Sequence, residues 1–127
     1  MENNNRFNLY RNVKTLSFEI MDYLDNIPRK YDYIKNGIRS SFIECVRLIR
    51  YYITNQKEAV RTKNKYLKDL IVELSILDYY LECLNKFRVL GKYKYQYFME
   101  ELGVIIKLTY GVINYEKKLL EVWQNSR

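Results

Sequence analysis

Two acidic side chains in the middle of the chain have the spacing that helical metal sites use. Asp78 and Glu82 lie four residues apart beside a stripe of leucines, so on a helix they share one face. Carboxylate-bridged metal centres in helical bundles also need histidine, and the chain contains none. The two cysteines, Cys45 and Cys83, lack the paired spacing of a zinc or redox motif. We therefore predict a protein that is not an enzyme and that holds neither a metal ion nor a cofactor.

Two groups of cations are candidates for binding a polyanion. The segment 86–95, KFRVLGKYKY, interleaves cations with aromatic rings, a mixture that suits phosphates and unpaired bases but also a solvated helix start. Its cations are Lys86, Arg88, Lys92 and Lys94. On the predicted outer face of the second helix, four further cations are opposed only by distant Glu44. They are Lys35, Arg39, Arg47 and Arg50.

The composition agrees with a basic, helical protein. The 127 residues carry a net charge of +7, which favours a polyanionic partner and would equally suit a basic protein without one. No run of residues has the length or apolar character of a membrane span, and the first residues lack a signal-peptide pattern. We expect a cytoplasmic protein with no membrane contact and with reduced, buried thiols.

Apolar residues at helical spacing predict an all-α fold with four helices. The helices span about 7–26, 33–55, 59–87 and 93–123, in a single domain over residues 1–127. The first ends before Pro28, and we expect Gly91 to follow the end of the third. Short connections favour an antiparallel, up-down-up-down four-helix bundle.

This topology collects cations at both ends of the bundle. The first and third connections lie at one end, where Arg29 and Lys30 join the four cations of segment 86–95. At the other end, the second connection brings together Lys57, Arg61, Lys63 and Lys65. We predict that the first of these ends binds a polyanion such as nucleic acid.

The third and fourth helices each carry two apolar stripes, and a lone bundle buries only one stripe of each helix. The predicted core stripes contain a ladder of leucines in the third helix and Leu102, Ile105, Ile106, Val112, Ile113 and Leu119 in the fourth. The opposite stripes predict an oligomer interface. Its residues are Val72, Ile76, Tyr79 and Cys83 in the third helix and Val104, Leu108, Tyr115 and Val122 in the fourth.

Three segments resemble a known family. They are Ile27-Pro28-Arg29-Lys30 at the end of the first helix, the third helix from Lys65-Tyr66-Leu67 to Leu77-Asp78-Tyr79-Tyr80-Leu81, and Glu101-Leu102-Gly103 in the fourth. Their order and spacing are similar to those of the accessory variability determinants of diversity-generating retroelements. That four-helix-bundle family also includes the proteins encoded in intervening sequences of 23S rRNA.

The resemblance implies a homopentamer that forms a tapered, basic barrel. It implies a non-enzymatic accessory protein that binds a reverse transcriptase and nucleic acid, either template RNA or cDNA, in mutagenic retrohoming. Within the matched segments, it assigns polyanion or polymerase binding to Arg29 and Lys30. The alternative is an oligomeric interaction module of the intervening-sequence type, which has no polymerase partner.

Overall fold

The computed structural model describes residues 2–126, and the side chains of residues 6–126. This range contains four long helices and no β-strand, which confirms the predicted all-α class. The helices are α1 (Glu2–Leu24), α2 (Asp32–Thr54), α3 (Val60–Lys86) and α4 (Lys92–Asn125). A short 3-10 helix, η1 (Arg29–Tyr31), precedes α2. The helix α1 begins at Glu2 rather than near residue 7, and residues 1 and 127 of the predicted domain lie outside the described range.

The core consists of apolar side chains that recur three or four residues apart along each helix. In α3 the leucine ladder is buried throughout, as predicted: Leu67, Leu70, Leu74, Leu77, Leu81 and Leu84. In α4 the predicted stripe is buried from Leu102 to Ile113, except that Ile106 is only half-buried. The prediction was wrong for Leu119, which is exposed. The cause is the length of α4, whose residues 117–126 are all exposed beyond the core.

Each of the four long helices packs against two of the others. The helix α1 packs against α2 and α4, and α3 packs against the same two helices. Near the end of α1, the Tyr23 hydroxyl donates a hydrogen bond to the Val89 carbonyl, 3.5 Å away in the α3–α4 connection. Near the start of α1, the Arg6 guanidinium donates to the side chain of Gln56 in the α2–α3 connection. The two ends of α1 therefore meet different connections of the chain.

Within the described residues, no helix combines the length and the apolar composition that crossing a bilayer requires.

Candidate nucleic-acid interface

Aromatic contacts hold two connections together at one end of the helices. The rings of Tyr31 in η1 and Phe87 after α3 stack with centroids 5.6 Å apart and planes inclined by 29°. Tyr23 contacts the edge of Phe98, with ring centroids 6.1 Å apart, and hydrogen-bonds to Val89 nearby. The η1 segment, the end of α3 and the start of α4 therefore form one surface.

Six predicted cations belong to this surface, which we call the basic end. They are Arg29, Lys30, Lys86, Arg88, Lys92 and Lys94, and all six are exposed. Within residues 6–126, none of the six forms an ion pair. Their charges are therefore available to an external anion, and each phosphate that they neutralise would release bound counterions.

Aromatic rings lie among these cations. The Lys30 ammonium is 5.2 Å from the centroid of the Tyr31 ring, and the Lys94 ammonium is 5.8 Å from that of Phe98. Tyr93 is 85% exposed, so its ring is open to solvent. Phe87 also keeps part of its ring exposed beside Tyr31. The basic end thus combines cations with ring faces on which bases can stack.

One cation of the basic end has an unusual backbone. Arg88 has a φ of 60°, the left-handed conformation that usually favours glycine. The Arg88 and Val89 amides donate hydrogen bonds to the carbonyls of Asn85 and Leu84, at 3.0 and 3.1 Å, which completes a common helix ending. The predicted role of Gly91 was wrong, because Arg88 takes the glycine position and Gly91 instead precedes α4 with a φ of −62°.

The arginines of α2 have side-chain partners within the protein. The Arg47 side chain is 3.6 Å from Glu44, and Arg39 is 3.9 Å from Asp25. Arg50 donates a hydrogen bond of 2.7 Å to the hydroxyl of Tyr10 in α1. These three arginines are therefore engaged with neighbouring side chains, in contrast to the cations of the basic end.

Lys35 does not lie on the outer face of α2, and this prediction was wrong. Lys35 is only 7% exposed. Its ammonium donates a hydrogen bond of 2.8 Å to the Ile27 carbonyl and lies 3.0 Å from the Asp32 carboxylate. A lysine at this position extends its aliphatic stem along the core and satisfies a carbonyl just after α1. Its contacts therefore join the α1–α2 connection to α2.

The residues predicted for the oligomer interface lie on two flanks of the protein. Val72 lines a cleft of about 250 Å³ beside Leu48 of α2. Tyr97 lies seven residues before Val104 on α4, and the hydroxyl of Tyr97 interacts with Glu19 of α1, which raises its pKa. Val72 therefore borders α2, whereas Tyr79 and Cys83 of the same stripe line a second cleft with Tyr95 of α4. The α4 stripe lies on the Tyr97 face of α4, towards α1. Of the eight predicted residues, Val72, Tyr79, Val104 and Val122 are exposed, and Ile76, Cys83, Leu108 and Tyr115 are half-buried.

Sequence reasoning missed a buried polar cluster near the α2–α3 connection. Glu116 of α4 is only 2% exposed and lies 2.9 Å from the Lys63 ammonium. It also accepts a hydrogen bond of 2.6 Å from the Tyr52 hydroxyl. Burial, and next this hydrogen bond, raise the pKa of Tyr52. The missed signal was the position of Glu116, which continues the core stripe of α4 after Ile113.

No family model, no curated protein and no solved structure matches this chain. Within the described residues, no group of three or more His, Cys, Asp or Glu side chains is placed to hold a metal ion. The resemblance to retroelement accessory proteins therefore stays a prediction.

Proposed function

We propose that this protein binds nucleic acid through its basic end, as a non-enzymatic accessory protein of a diversity-generating retroelement. The observation that carries the proposal is a set of six exposed cations beside the exposed rings of Tyr93 and Phe87. Among the side chains of residues 6–126, these cations form no ion pair. Such cations attract phosphates, and such rings stack on bases in a single strand. The nucleic acid is the template RNA or the cDNA.

The second partner in this proposal is the reverse transcriptase of the same retroelement. Its support is the sequence resemblance, which assigns polyanion or polymerase binding to Arg29 and Lys30. Both residues are exposed in η1, where a large partner can reach them. The role also places the protein in the cytoplasm, where its two free thiols, Cys45 and Cys83, would remain reduced.

We also propose that the four helices run up-down-up-down and that the protein assembles into a ring-like homopentamer. Tyr23, near the end of α1, contacts Val89 just after α3, and Arg6, near the start of α1, contacts Gln56 just before α3. These two contacts support this helix order, because α1 and α3 then run in the same direction. The apolar stripes of α3 and α4 support self-association, because a lone protomer leaves Val72, Tyr79, Val104 and Val122 exposed to water on two different helices. Two different contact surfaces on each protomer are what a closed ring requires.

The alternative proposal is an oligomeric module of the 23S rRNA intervening-sequence type, with the same helices and no polymerase partner. The genes beside the coding sequence separate the two roles. A reverse transcriptase gene with a template and variable repeat pair indicates the retroelement role. An insertion within an rRNA gene indicates the alternative.

The direct test is the affinity of the purified protein for a 30-nucleotide single-stranded RNA at several salt concentrations. If the basic end neutralises several phosphates, the logarithm of the affinity falls steeply with the logarithm of the salt concentration, by about 0.7 for each phosphate. A flat dependence, or no binding at low salt, would refute the nucleic-acid role. Coelution with a reverse transcriptase encoded nearby tests the second partner.

A further inference from the structure

A cleft of about 580 Å³ adjoins the basic end, where the last turns of α3 lie beside Tyr95 of α4. We call it the α3/α4 cleft. Its volume lies in the range of small-molecule sites, and a single nucleotide fits within it. Lys86 lines this cleft and is also one of the six cations of the basic end. A strand bound at the basic end therefore lies next to the cleft.

Aromatic rings form much of the wall of the α3/α4 cleft. They belong to Tyr79, Phe87 and Tyr95. The Phe87 ring stacks on Tyr31, which does not line the cleft, so a different part of the Phe87 ring faces it. Phe87 is 44% exposed and Tyr79 is 62% exposed. These ring surfaces provide stacking positions for an unpaired base.

One carboxylate, that of Glu82, also lines the cleft. It is exposed, and it forms no ion pair among the side chains of residues 6–126. Lys86 lies one turn further along α3 in the same cleft and does not pair with it. Burial, and next the charge of Glu82, raise the pKa of Tyr95 across the cleft. A carboxylate here repels phosphates, so it favours a bound strand only where a base offers it N–H donors.

We propose that the α3/α4 cleft binds a guanine base of the single strand that the basic end holds. The base stacks on Phe87, and its N1–H and N2–H groups donate hydrogen bonds to the Glu82 carboxylate. Lys86 contacts a phosphate of the same strand. This inference rests on the RNA binding in our proposed function, and it names the base that this binding selects.

The hydrogen-bonding chemistry of a carboxylate selects guanine over the other bases. An ionised carboxylate only accepts hydrogen bonds, and its two oxygens suit two parallel N–H donors. Guanine places two such donors, N1–H and N2–H, side by side on its Watson–Crick edge, which is open to a protein in a single strand. Adenine and cytosine each place an acceptor nitrogen beside their amino group, and uracil flanks its N3–H with two carbonyls. In each of these bases an acceptor would face an oxygen of Glu82.

The α3/α4 cleft overlaps only in part with the predicted oligomer interface. The two share Tyr79 and Cys83. Val72 lines a separate cleft beside α2, and the exposed Val104 and Val122 of α4 do not line the α3/α4 cleft. A bound base therefore leaves most of the apolar surface that supports self-association uncovered.

The test measures the affinity of the full-length protein for short RNA strands by fluorescence anisotropy at one salt concentration. The strands are oligouridine and the same strand with a single internal guanine, adenine or inosine. Inosine keeps the N1–H of guanine and lacks its amino group, so it removes one of the two donors to Glu82. The variant is Glu82→Gln, at an exposed position that tolerates the change. The matched control is Glu100→Gln, which removes the same charge from an exposed position of α4 outside the cleft.

We expect the unaltered protein to bind the guanine strand about tenfold more tightly than oligouridine, with a preference below about threefold for adenine and an intermediate one for inosine. Glu82→Gln should reduce the guanine preference to below about threefold without weakening the binding of oligouridine. Glu100→Gln should keep the full preference. Free GMP should not displace the guanine strand at about 1 mM, because a single nucleotide gains few of the phosphate contacts of a strand.

The contrary outcomes separate this inference from the proposed function. Equal affinities of the unaltered protein for all the strands, or an undiminished guanine preference in Glu82→Gln, would overturn the base site alone. Displacement of the strand by micromolar GMP would overturn its assignment to a base within a strand. Failure of every strand to bind at low salt would overturn the proposed RNA binding as well.

Discussion

Replacement of Arg88 by glycine is expected to stabilise the fold and to weaken nucleic-acid binding. Arg88 has a φ of 60°, where the Cβ of an ordinary residue approaches the following carbonyl oxygen. The hydrogen bonds of this turn are made by the backbone amides of Arg88 and Val89, and glycine retains both. The side chain of Arg88 is exposed, so its removal leaves no cavity.

The size of the effect follows from two opposing terms. The left-handed conformation costs a non-glycine residue roughly 1–2 kcal/mol. Replacement by glycine removes this cost. It adds a smaller one, because the larger conformational freedom of glycine in the unfolded chain costs about 0.5–1 kcal/mol on folding. The net stabilisation of Arg88→Gly is therefore about 0.5–1 kcal/mol, which raises the Tm of a chain of this length by roughly 2–5 °C. Loss of one cation should lower the salt slope of RNA binding by about 0.7.

The assays are urea unfolding followed by circular dichroism and RNA binding at several salt concentrations. Lys86→Gly is the matched control, because it removes one cation of the basic end from a helical position. Glycine within a helix destabilises by up to about 1 kcal/mol. The two glycine variants should therefore weaken RNA binding alike and change the stability in opposite directions. An Arg88→Gly protein that is less stable than the unaltered one would refute the assignment of backbone cost to Arg88.

Three further predictions concern other parts of the protein. Glu116→Ala leaves the buried Lys63 ammonium without its carboxylate, so we expect a loss of about 3–5 kcal/mol in unfolding free energy, and a change below 1 kcal/mol would contradict this burial. Gly103→Ala should stabilise the protomer by about 0.5–1 kcal/mol in urea unfolding, because open space surrounds this position inside α4, and destabilisation would indicate an unseen contact. Burial and nearby carboxylates raise the pKa of Cys45, so a thiol reagent at neutral pH should label Cys83 first, and equal rates would refute this order.

The sequence was sufficient to predict the helices and their core because both depend on a simple periodicity. Each of the six leucines of the α3 ladder falls three or four residues after the previous one, and each is buried. The same period failed for Leu119, since burial requires a neighbouring element as well as the right face. At that position α4 has passed beyond the core. Periodicity predicts which face turns inward, and it gives no information on where the opposing helices end.

The polar residues were harder to predict, because their environment depends on contacts between distant parts of the chain. The spacing of Lys35 predicted an anion-binding cation on the outer face of α2, yet its ammonium donates a hydrogen bond to a carbonyl of the preceding connection. Glu116 is buried because Lys63 of α3 forms an ion pair with it and Tyr52 of α2 donates a hydrogen bond to it. The sequence did not indicate the left-handed backbone of Arg88. It contains a glycine, Gly91, three residues later, and we expected that glycine to follow the end of the helix.

The exposed cations of the basic end were predictable because they lie in two short segments next to helix ends. Both segments are rich in Lys and Arg, and no acid lies between Lys86 and Lys94. Their proximity follows from the connections of the helices, which the stacked rings of Tyr31 and Phe87 hold together. The arginines of α2 could not be separated from them by sequence, since their pairing with Asp25, Glu44 and Tyr10 depends on tertiary contacts.

The measurement that tests the central claim most directly compares RNA binding by two variants with equal loss of charge. One variant changes Lys30, Arg88, Lys92 and Lys94 of the basic end to Gln. The other changes Lys57, Arg61, Lys65 and Lys117, all exposed and outside the basic end, to Gln. We predict that the salt slope for a single-stranded RNA falls by roughly 3 in the first variant and by less than about 1 in the second. Equal losses in the two variants would contradict the assignment of nucleic-acid binding to the basic end.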